Sequence, residues 1–406
     1  MKIVILSLAI IINLYAANNS TAYQWDAFIQ KAVEASFTIK QDEAQLSVEK
    51  SKIAQSTLWK NPTLEMSFDD GLENSIDYTY FEVSQQLPAW GENSSKKRAA
   101  EFSLDSAKYS KDSTLLKVQY QAASLFQRIY FLKKQVEMLD KQLRKIKDLQ
   151  EKSKNREELG EISGFESSRI EILRQQVLMK KQSFQNRYIK STFEAQSLLN
   201  VDSEVLILGD IVKADENKVE TMTASLEKSP EYAKHEAMLQ ATKQELALVK
   251  ATRYALPELY LYSERDLNPN NNIDSTYGFG FKLSLPLWNT QNSKIEMQNA
   301  KIQKSTIKTQ EVLYKLKNRV SSYHKLYKNS SKQFEDYKKN LLDPSKIYYE
   351  TSVLSFELGE ISLLELLDAQ TLYFQSQLEH QNLISQSYIY WLQLCKASSI
   401  NLLKDN

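Results

Sequence analysis

The chain contains 406 residues, and its 52 Lys and Arg side chains nearly balance its 51 Asp and Glu side chains. This balance gives no reason to expect nucleic-acid binding. The single cysteine, Cys395, excludes an intramolecular disulfide. Only 8 glycines and 7 prolines are present, which favours long uninterrupted helices.

The N-terminus predicts a secretory signal, because a lysine is followed by a short apolar run over residues 3–12. Cleavage is expected after Ala16 or Ala22, so the signal is given the approximate extent 1–22. A membrane anchor is the alternative, but the run is too short to span a bilayer and Asn13 interrupts it. We therefore expect export from the cytoplasm.

The first structured region alternates apolar and polar residues with a period of two. Leu64, Met66 and Phe68 alternate with polar neighbours, and a polar turn near 71–74 separates them from a second alternating run. The pattern predicts two antiparallel strands, near 62–70 and 77–87, with one apolar and one polar face.

A long helix is predicted next, since no proline or glycine follows Gly91 until the region of Glu158. Its apolar residues alternate spacings of three and four, which is the seam of a left-handed supercoil. At 1.5 Å per residue this helix is about 100 Å long. The seam comprises Leu115, Val118, Ala122, Leu125, Ile129, Leu132, Val136, Leu139, Leu143 and Ile146.

The hexapeptide Glu-Leu-Gly-Glu-Ile-Ser at 158–163 separates this helix from a shorter helical pattern at 165–200. Glycine is suited to a left-handed cap that ends the first helix, and serine is suited to cap the second. The hexapeptide is therefore interpreted as a helix-to-helix turn, with a ligand loop as the alternative.

The same hexapeptide recurs at 357–362, and other landmarks recur in the same order at offsets of 195 to 199 residues. The chain is therefore predicted to be a duplication, with repeats at 23–210 and 211–406. The second repeat is expected to contain strands near 257–266 and 275–285, a long helix at 290–357 and a shorter helix at 363–397. Ser229 and Pro230 mark a further helix start.

Aromatic residues flank both predicted hairpins at corresponding points: Trp59 and Tyr254 precede them, while Trp90 and Trp288 follow them. Such a belt is typical of a membrane interface, so the strands are interpreted as transmembrane strands. The alternative is an amphipathic hairpin packed on a soluble core. Four strands cannot close a barrel, and open edges do not occur in lipid. Several copies must then pool their strands; three copies supply twelve, and four or more would also close.

Taken together, the fragments resemble the TolC-type outer membrane efflux proteins, and within them the heavy-metal or cation efflux branch. The resemblance covers essentially the whole mature chain. It is carried by Asn-Pro-Thr-Leu at 61–64, Gln-Gln-Leu-Pro at 85–88 with Gly91 and the alanines at 99 and 100, Ser-Leu-Pro-Leu at 284–287, and the run from Gly359 to Gln370.

The resemblance implies a mainly α fold with a small β part. Duplicated long helical hairpins would form a coiled-coil α-barrel, and four transmembrane strands per chain would pool into a trimeric 12-stranded β-barrel in outer-membrane lipid. It also implies partners, namely a periplasmic adaptor and an inner-membrane pump of the resistance-nodulation-division or ABC type. The expected function is a passive exit duct without catalysis or cofactor.

In the resembled family, acidic residues at the positions of Glu365 and Asp368 line the periplasmic constriction. The two stand three residues apart and share one helix face. The duplication adds Glu166, whereas Asp368 corresponds to Arg169, which would neutralise an acidic ring or latch it through an ion pair. The alternative is that all four are ordinary solvated side chains.

The two hexapeptide turns are expected to be adaptor-docking tips, although capping requirements alone would also explain their similarity. The residues concerned are Leu159, Gly160, Glu161, Ile162, Ser163, Leu358, Gly359, Glu360, Ile361 and Ser362.

Catalytic and metal signals are poor, because His235, His324 and His380 lack companions at ligand spacing. We expect them to be surface or packing residues. The competing interpretation of the whole chain is a soluble periplasmic coiled-coil scaffold, which explains the heptads and the signal but leaves the paired hairpins unexplained. The exported substrate is not predicted by the sequence.

Overall fold

A computed structural model describes residues 20–70, 76–160, 163–212, 226–253, 256–267, 273–283, 288 and 290–403. The helices are α1 (Trp25–Ala35), α2 (Phe37–Ser56), α3 (Glu92–Glu158), α4 (Gly164–Leu199), α5 (Pro230–Ala251), α6 (Asn292–Tyr337), α7 (Asp343–Glu357) and α8 (Leu363–Ala397). The strands are β1 (Ser20–Tyr23), β2 (Thr63–Asp70), β3 (Ile76–Gln86), β4 (Glu204–Ile207), β5 (Pro257–Leu267) and β6 (Ile273–Leu283).

The predicted mainly α fold with a small β part is confirmed. The long helices begin and end within two residues of their predicted limits, except that α6 and α7 are joined by a π-helical segment, Lys338–Leu342. Among the residues that the structure describes, none of the helices combines the length and the apolar character that a bilayer span requires.

Contacts divide the chain into two units that do not follow the sequence repeats. One unit contains residues up to Ile39 together with Thr114–Leu226 and Lys315–Asn406; the other contains Lys40–Ser113 and Glu227–Tyr314. Each unit therefore takes segments from both halves of the duplication. The repeat limits at 23–210 and 211–406 differ from the limits of these units, and they stay a prediction.

In the first unit, the seam predicted on α3 faces the interior. Seven of its ten residues are buried, and Leu115, Val136 and Leu143 are half-buried. The seam packs into two clusters, one around Phe28, Phe126 and Leu392, the other around Leu139, Ile170 and Leu363. Burying such side chains supplies about 1.5–3 kcal/mol each, which is why the apolar period fixes the inward face.

Buried glutamines run along α3 beside the apolar seam, a feature that the apolar period does not reveal. Gln127 Nε2 donates to the carbonyl of Ser385 at 2.8 Å, and Gln135 Nε2 donates to Asn382 Oδ1 at 2.8 Å. Gln119 donates to Asn401 Oδ1 at 3.0 Å. Because an unpaired buried amide is costly, these bonds fix how α3 aligns with the C-terminal region.

The π-helical segment explains a small irregularity in the duplication. Leu87 and Leu285 are 198 residues apart, whereas Glu158 and Glu357 are 199 residues apart. The segment between the strands and the turn is therefore one residue longer in the second repeat than in the first. A π turn accommodates one residue without rotating the following helix out of register. Pro344, in the first turn of α7, lacks the N–H that a regular continuation would use.

The second unit holds an antiparallel sheet in the order β2-β3-β5-β6. Each predicted hairpin is confirmed, and β3 joins the two hairpins by pairing with β5, from Tyr78 opposite Asp266 to Gln86 opposite Glu258. The predicted fourth strand ends at Leu283, and residues 284–287 lie outside the described residues.

A second, two-stranded parallel sheet was not predicted. Strand β1 pairs with β4, with Ala22 opposite Leu206, and the Tyr23 carbonyl accepts a hydrogen bond from the Leu208 N–H at 2.8 Å. Both strands have only four residues, too few to show a clear period. Strand β1 overlaps the predicted signal segment 1–22, and the limits of that segment stay a prediction.

Candidate functional site

The four-stranded sheet exposes apolar side chains on one face and buries Glu82 on the other face. Leu64, Val83, Leu261 and Phe279 occupy neighbouring register positions, and their side chains are 47% to 86% exposed. On the opposite face, Glu82 is only 4% exposed. A soluble sheet buries its apolar face, whereas a membrane barrel turns that face to lipid and its polar face inward.

Three of the four aromatic residues predicted for a membrane interface, Trp59, Trp90 and Trp288, are described, and they adjoin the same end of this sheet. The register places the start of β2, the end of β3, the start of β5 and the end of β6 together. Trp90 is fully exposed, Trp288 is 93% exposed and Trp59 is 59% exposed. Tyr254 lies outside the described residues. Exposed indoles at this level suit a headgroup environment.

The hexapeptide turns have the backbone that the sequence predicted. Gly160 and Gly359 have φ values of +76° and +78°, in the left-handed region that favours glycine. The N–H of Glu360 reaches back to the carbonyl of Ser355 at 2.8 Å, which closes the C-terminus of α7. Glu161 and Ile162 of the first turn lie outside the described residues.

Two of the predicted constriction residues are parts of capping boxes. Ser362 N and Oγ donate to Glu365 Oε2 at 2.8 and 2.9 Å, and the Glu365 N–H donates to Ser362 Oγ at 3.3 Å. Ser163 and Glu166 repeat the arrangement at 2.9, 3.1 and 3.3 Å. The spacing Ser-x-x-Glu is a recognisable capping signal that the sequence interpretation overlooked.

The capping bonds change the electrostatics of Glu365. The backbone N–H of Ser362, and then its hydroxyl, stabilise the ionised form and lower the pKa of the Glu365 carboxyl. Glu365 and Asp368 are both exposed, on the side of α8 away from the buried Leu366 and Leu367. The structure therefore leaves the Glu365 carboxylate charged at neutral pH and both carboxylates open to solvent, an arrangement that fits either pore lining or simple solvation.

Arg169 has the opposite charge to Asp368, its counterpart in the second repeat, and it contacts an aromatic ring. Its guanidinium lies 5.5 Å from the centroid of the Phe165 ring, in a cation–π arrangement. Glu166 meanwhile bonds to Ser163. A role of these four residues in a constriction stays a prediction, because it depends on how copies of the chain assemble.

Arg156, which was not among the predicted site residues, connects the C-terminal ends of α3 and α7. Its guanidinium donates to the carbonyls of Phe356 and Glu357 at 3.0 and 3.2 Å and lies 4.5 Å from the Phe356 ring centroid. Lys152 pairs with the Glu357 carboxylate and lowers its pKa. The two turns are therefore neighbours within the first unit, so they present a joint surface.

Helix α4 carries an exposed apolar stripe, here called the outer stripe, with a spacing of seven residues or its double. It comprises Phe165, Ile172, Met179 and Phe193, which are 58% to 73% exposed. On α7, Ile347 and Leu354 are also seven apart and are 64% and 62% exposed. Exposed apolar residues at heptad spacing indicate packing against another helix.

A metal-binding group is not found within the described part of the chain. There, no three His, Cys, Asp or Glu side chains are arranged to hold a metal ion. His380 packs edge-on against Phe334 with ring centroids 6.4 Å apart, and burial lowers its pKa. This contact fits the packing role expected for that histidine.

Solved structures of outer-membrane channels share this fold. CusC, studied for conformational changes accompanying folding and transmembrane channel formation, has a TM-score of 0.78 and 13% identity over 92% of each chain. The outer membrane protein VceC of Vibrio cholerae has a TM-score of 0.76 and 13% identity, covering 92% of this chain and 96% of its own. For the open MtrE outer membrane channel of Neisseria gonorrhoeae the values are 0.72 and 13%, covering 92% and 88%.

These similarities confirm the resemblance to TolC-type channels at the level of the fold. At such identities the fold is shown and the activity is not. No family model matches the sequence, and no curated protein matches it.

Proposed function

We propose that this protein is the outer-membrane exit duct of a tripartite efflux system. In this role it is a passive conduit located in the outer membrane and extending into the periplasm. An inner-membrane pump of the resistance-nodulation-division or ABC type would drive transport, and a periplasmic adaptor would connect the two. The observation that carries the proposal is the sheet, whose apolar face is exposed while its polar face holds a buried carboxylate.

The sheet also requires partners of its own kind. Strands β2 and β6 form the two edges of the described sheet, so each has a row of backbone groups available for pairing. Lipid cannot satisfy those groups. Pairing β6 of one copy with β2 of the next closes a barrel, and three copies supply twelve strands, which lies in the bacterial range.

The helical part supports the same assembly. The outer stripe of α4 and the exposed heptad pair on α7 would pack between copies, as the seams of coiled coils do. A homotrimer therefore uses both the sheet edges and the helix stripes. Within it, threefold symmetry would turn Glu365 and Asp368 into rings that attract cations, while the joint surface of the two turns would receive the adaptor.

The decisive measurement is the native mass of protein extracted from isolated outer membranes in mild detergent. We expect a trimer. A monomer in the soluble periplasmic fraction would remove the barrel and favour the periplasmic coiled-coil scaffold instead.

The α4 interface is tested by Ile172→Glu with Met179→Glu, which places charges on the outer stripe and is expected to yield monomers. The matched control is Ile172→Val with Met179→Leu, which keeps the stripe apolar and should remain trimeric. Equal trimer yields from both pairs of substitutions would show that α4 does not face another copy.

The constriction is tested by Glu365→Gln with Asp368→Asn. Removing both charges should weaken cation selectivity in single-channel recordings. Ser362 bonds to Glu365, so Ser362→Ala serves as a control that loosens the cap and keeps the charge. If selectivity were unchanged in the neutralised variant, these carboxylates would not line the pore.

A further inference from the structure

A layer of tyrosine rings covers the polar face of the sheet. The Tyr80 and Tyr262 rings stack with centroids 6.1 Å apart at an interplanar angle of 26°, and Tyr260 lies 6.1 Å from Tyr262 at 35°. Tyr80 belongs to β3, while Tyr260 and Tyr262 belong to β5. These angles show that neighbouring rings in the group have similar orientations. We call these three residues the tyrosine layer.

Two glycines on β6 provide the space for this layer. Gly278 lies opposite Tyr262 in the register, and Gly280 lies opposite Tyr260. A Cβ atom at Gly278 would lie 2.7 Å from the Tyr262 hydroxyl oxygen, and one at Gly280 would lie 2.8 Å from Tyr260 Cε1. Both distances are severe overlaps. The rings thus lie across the β6 backbone where any other residue would displace them.

The ion pair between Lys282 and Glu82 contacts the tyrosine layer. Lys282 Nζ lies 4.9 Å from the Tyr260 ring centroid and 2.6 Å from Glu82 Oε1, while the Tyr80 hydroxyl donates to Glu82 Oε2 at 2.6 Å. Lys282 therefore crosses over Tyr260 to reach β3. Both carboxylate oxygens of the buried Glu82 are occupied, so the arrangement satisfies the charge that it buries.

We propose that Gly278, Gly280 and the Glu82–Lys282 pair hold the tyrosine layer flat against the sheet, and that this flatness sets the bore of the duct at that level. The inference rests on the proposed function, because the polar face lines a pore only if the sheet closes into a barrel. Rings displaced from the glycines would project from the wall and narrow the lumen, because the added Cβ atoms would fill the space over β6 that the rings now occupy.

The test is single-channel conductance of the full-length protein in planar bilayers. Gly278→Ala with Gly280→Ala is expected to lower conductance about twofold, because the displaced rings obstruct the pore. In a Tyr260→Ala, Tyr262→Ala background, the same glycine substitutions should leave conductance unchanged. An equal loss in both backgrounds, or no loss in either, would overturn the role of the tyrosine layer.

Removal of the rings alone gives a second measurement that does not strain the backbone. Flat rings occupy little of the lumen, so Tyr260→Ala with Tyr262→Ala should change conductance by less than about a quarter. A several-fold increase would mean that the rings already stand in the pore, which contradicts the proposal. Ser263→Ala, on the opposite face of β5, is the matched control and should leave conductance unchanged.

The two proposals fail in different ways. A wild-type protein that opens no channel would remove the exit-duct function itself. A conducting wild type whose conductance does not respond to the glycine substitutions would leave the duct in place and remove only the tyrosine layer.

Discussion

The two hexapeptide turns have similar structures, but the helices that follow them, α4 and α8, are packed differently. Both turns use a left-handed glycine and a Ser-x-x-Glu capping box with nearly equal distances. Yet α4 buries six residues, whereas α8 buries sixteen. Met179 and Leu378, which occupy equivalent positions 199 residues apart, are 70% and 5% exposed.

The difference shows that both turns satisfy the same backbone hydrogen-bonding requirements, whereas α4 and α8 are buried to different extents. A turn must satisfy the same orphan N–H and C=O groups wherever it lies. The burial of a helix face, in contrast, depends on the elements that pack against it. Helix α8 is therefore largely buried in the first unit, while α4 has an exposed apolar stripe. The experiments below separate these two levels, beginning with the largest expected effect.

Packing should distinguish Leu378 from Met179 most strongly. Leu378→Ala leaves a cavity in a buried cluster and is expected to lower the free energy of unfolding by about 2–5 kcal/mol. In protein dissociated to monomers, Met179→Ala removes an exposed side chain and should change it by less than about 0.5 kcal/mol. Thermal unfolding of the monomer followed by circular dichroism in detergent measures both. Equal losses would mean that Met179 is buried within one chain as Leu378 is.

The contact between the C-terminal ends of α3 and α7 should depend on Arg156. Arg156→Ala removes two charge-assisted hydrogen bonds and the stacking on Phe356, with an expected loss of about 1–3 kcal/mol in unfolding free energy. Ser355 is the equivalent residue of the second repeat and donates only to Glu360 Oε2, at 2.9 Å. Ser355→Ala is therefore the matched control, with an expected loss of about 0.5–1 kcal/mol. A larger loss of unfolding free energy for Ser355→Ala than for Arg156→Ala would show that Arg156 does not provide the main contact.

The two turn glycines should respond equally. Neither has an atom within 4 Å of an added Cβ, so only the left-handed backbone opposes substitution. Gly160→Ala and Gly359→Ala should each lower the free energy of unfolding by about 1–2 kcal/mol. Gly164→Ala, at the start of α4 and without a positive φ, is the control and should cost less. Unequal values for the two turns would show that packing reaches the turns as well.

The smallest effect is the pH dependence of the Glu365 cap. Its folded-state pKa is lowered, so its stabilising contribution is present at neutral pH, above the usual carboxyl pKa. That contribution is lost as the pH falls through the folded-state pKa. Wild-type protein should thus lose more stability than Glu365→Gln on acidification, as measured by thermal midpoints from pH 7 to pH 3. Parallel midpoint curves would show that the carboxylate does not stabilise the turn.

Much of the candidate site was predictable because it rests on short-range patterns. The turn glycines, the alternating strands and the tryptophans that flank those strands all follow from spacing within about ten residues. The capping role of Glu166 and Glu365 was equally local and was overlooked. Arg156 was not predictable, because its partners lie about 200 residues away and a lone arginine at a helix end has no distinguishing period.

Local patterns in the sequence were enough to predict the helical hairpins with their caps and the two-faced strands, since each depends on backbone geometry and local periodicity. The tertiary structure decided which apolar residues became core and which remained exposed, because the helical period marks a face without naming its neighbour. It also decided that β3 pairs with β5, so that two hairpins form one sheet, and that tyrosine rings lie over Gly278 and Gly280. Those contacts join distant segments, and their free energy depends on shape complementarity that no local pattern records.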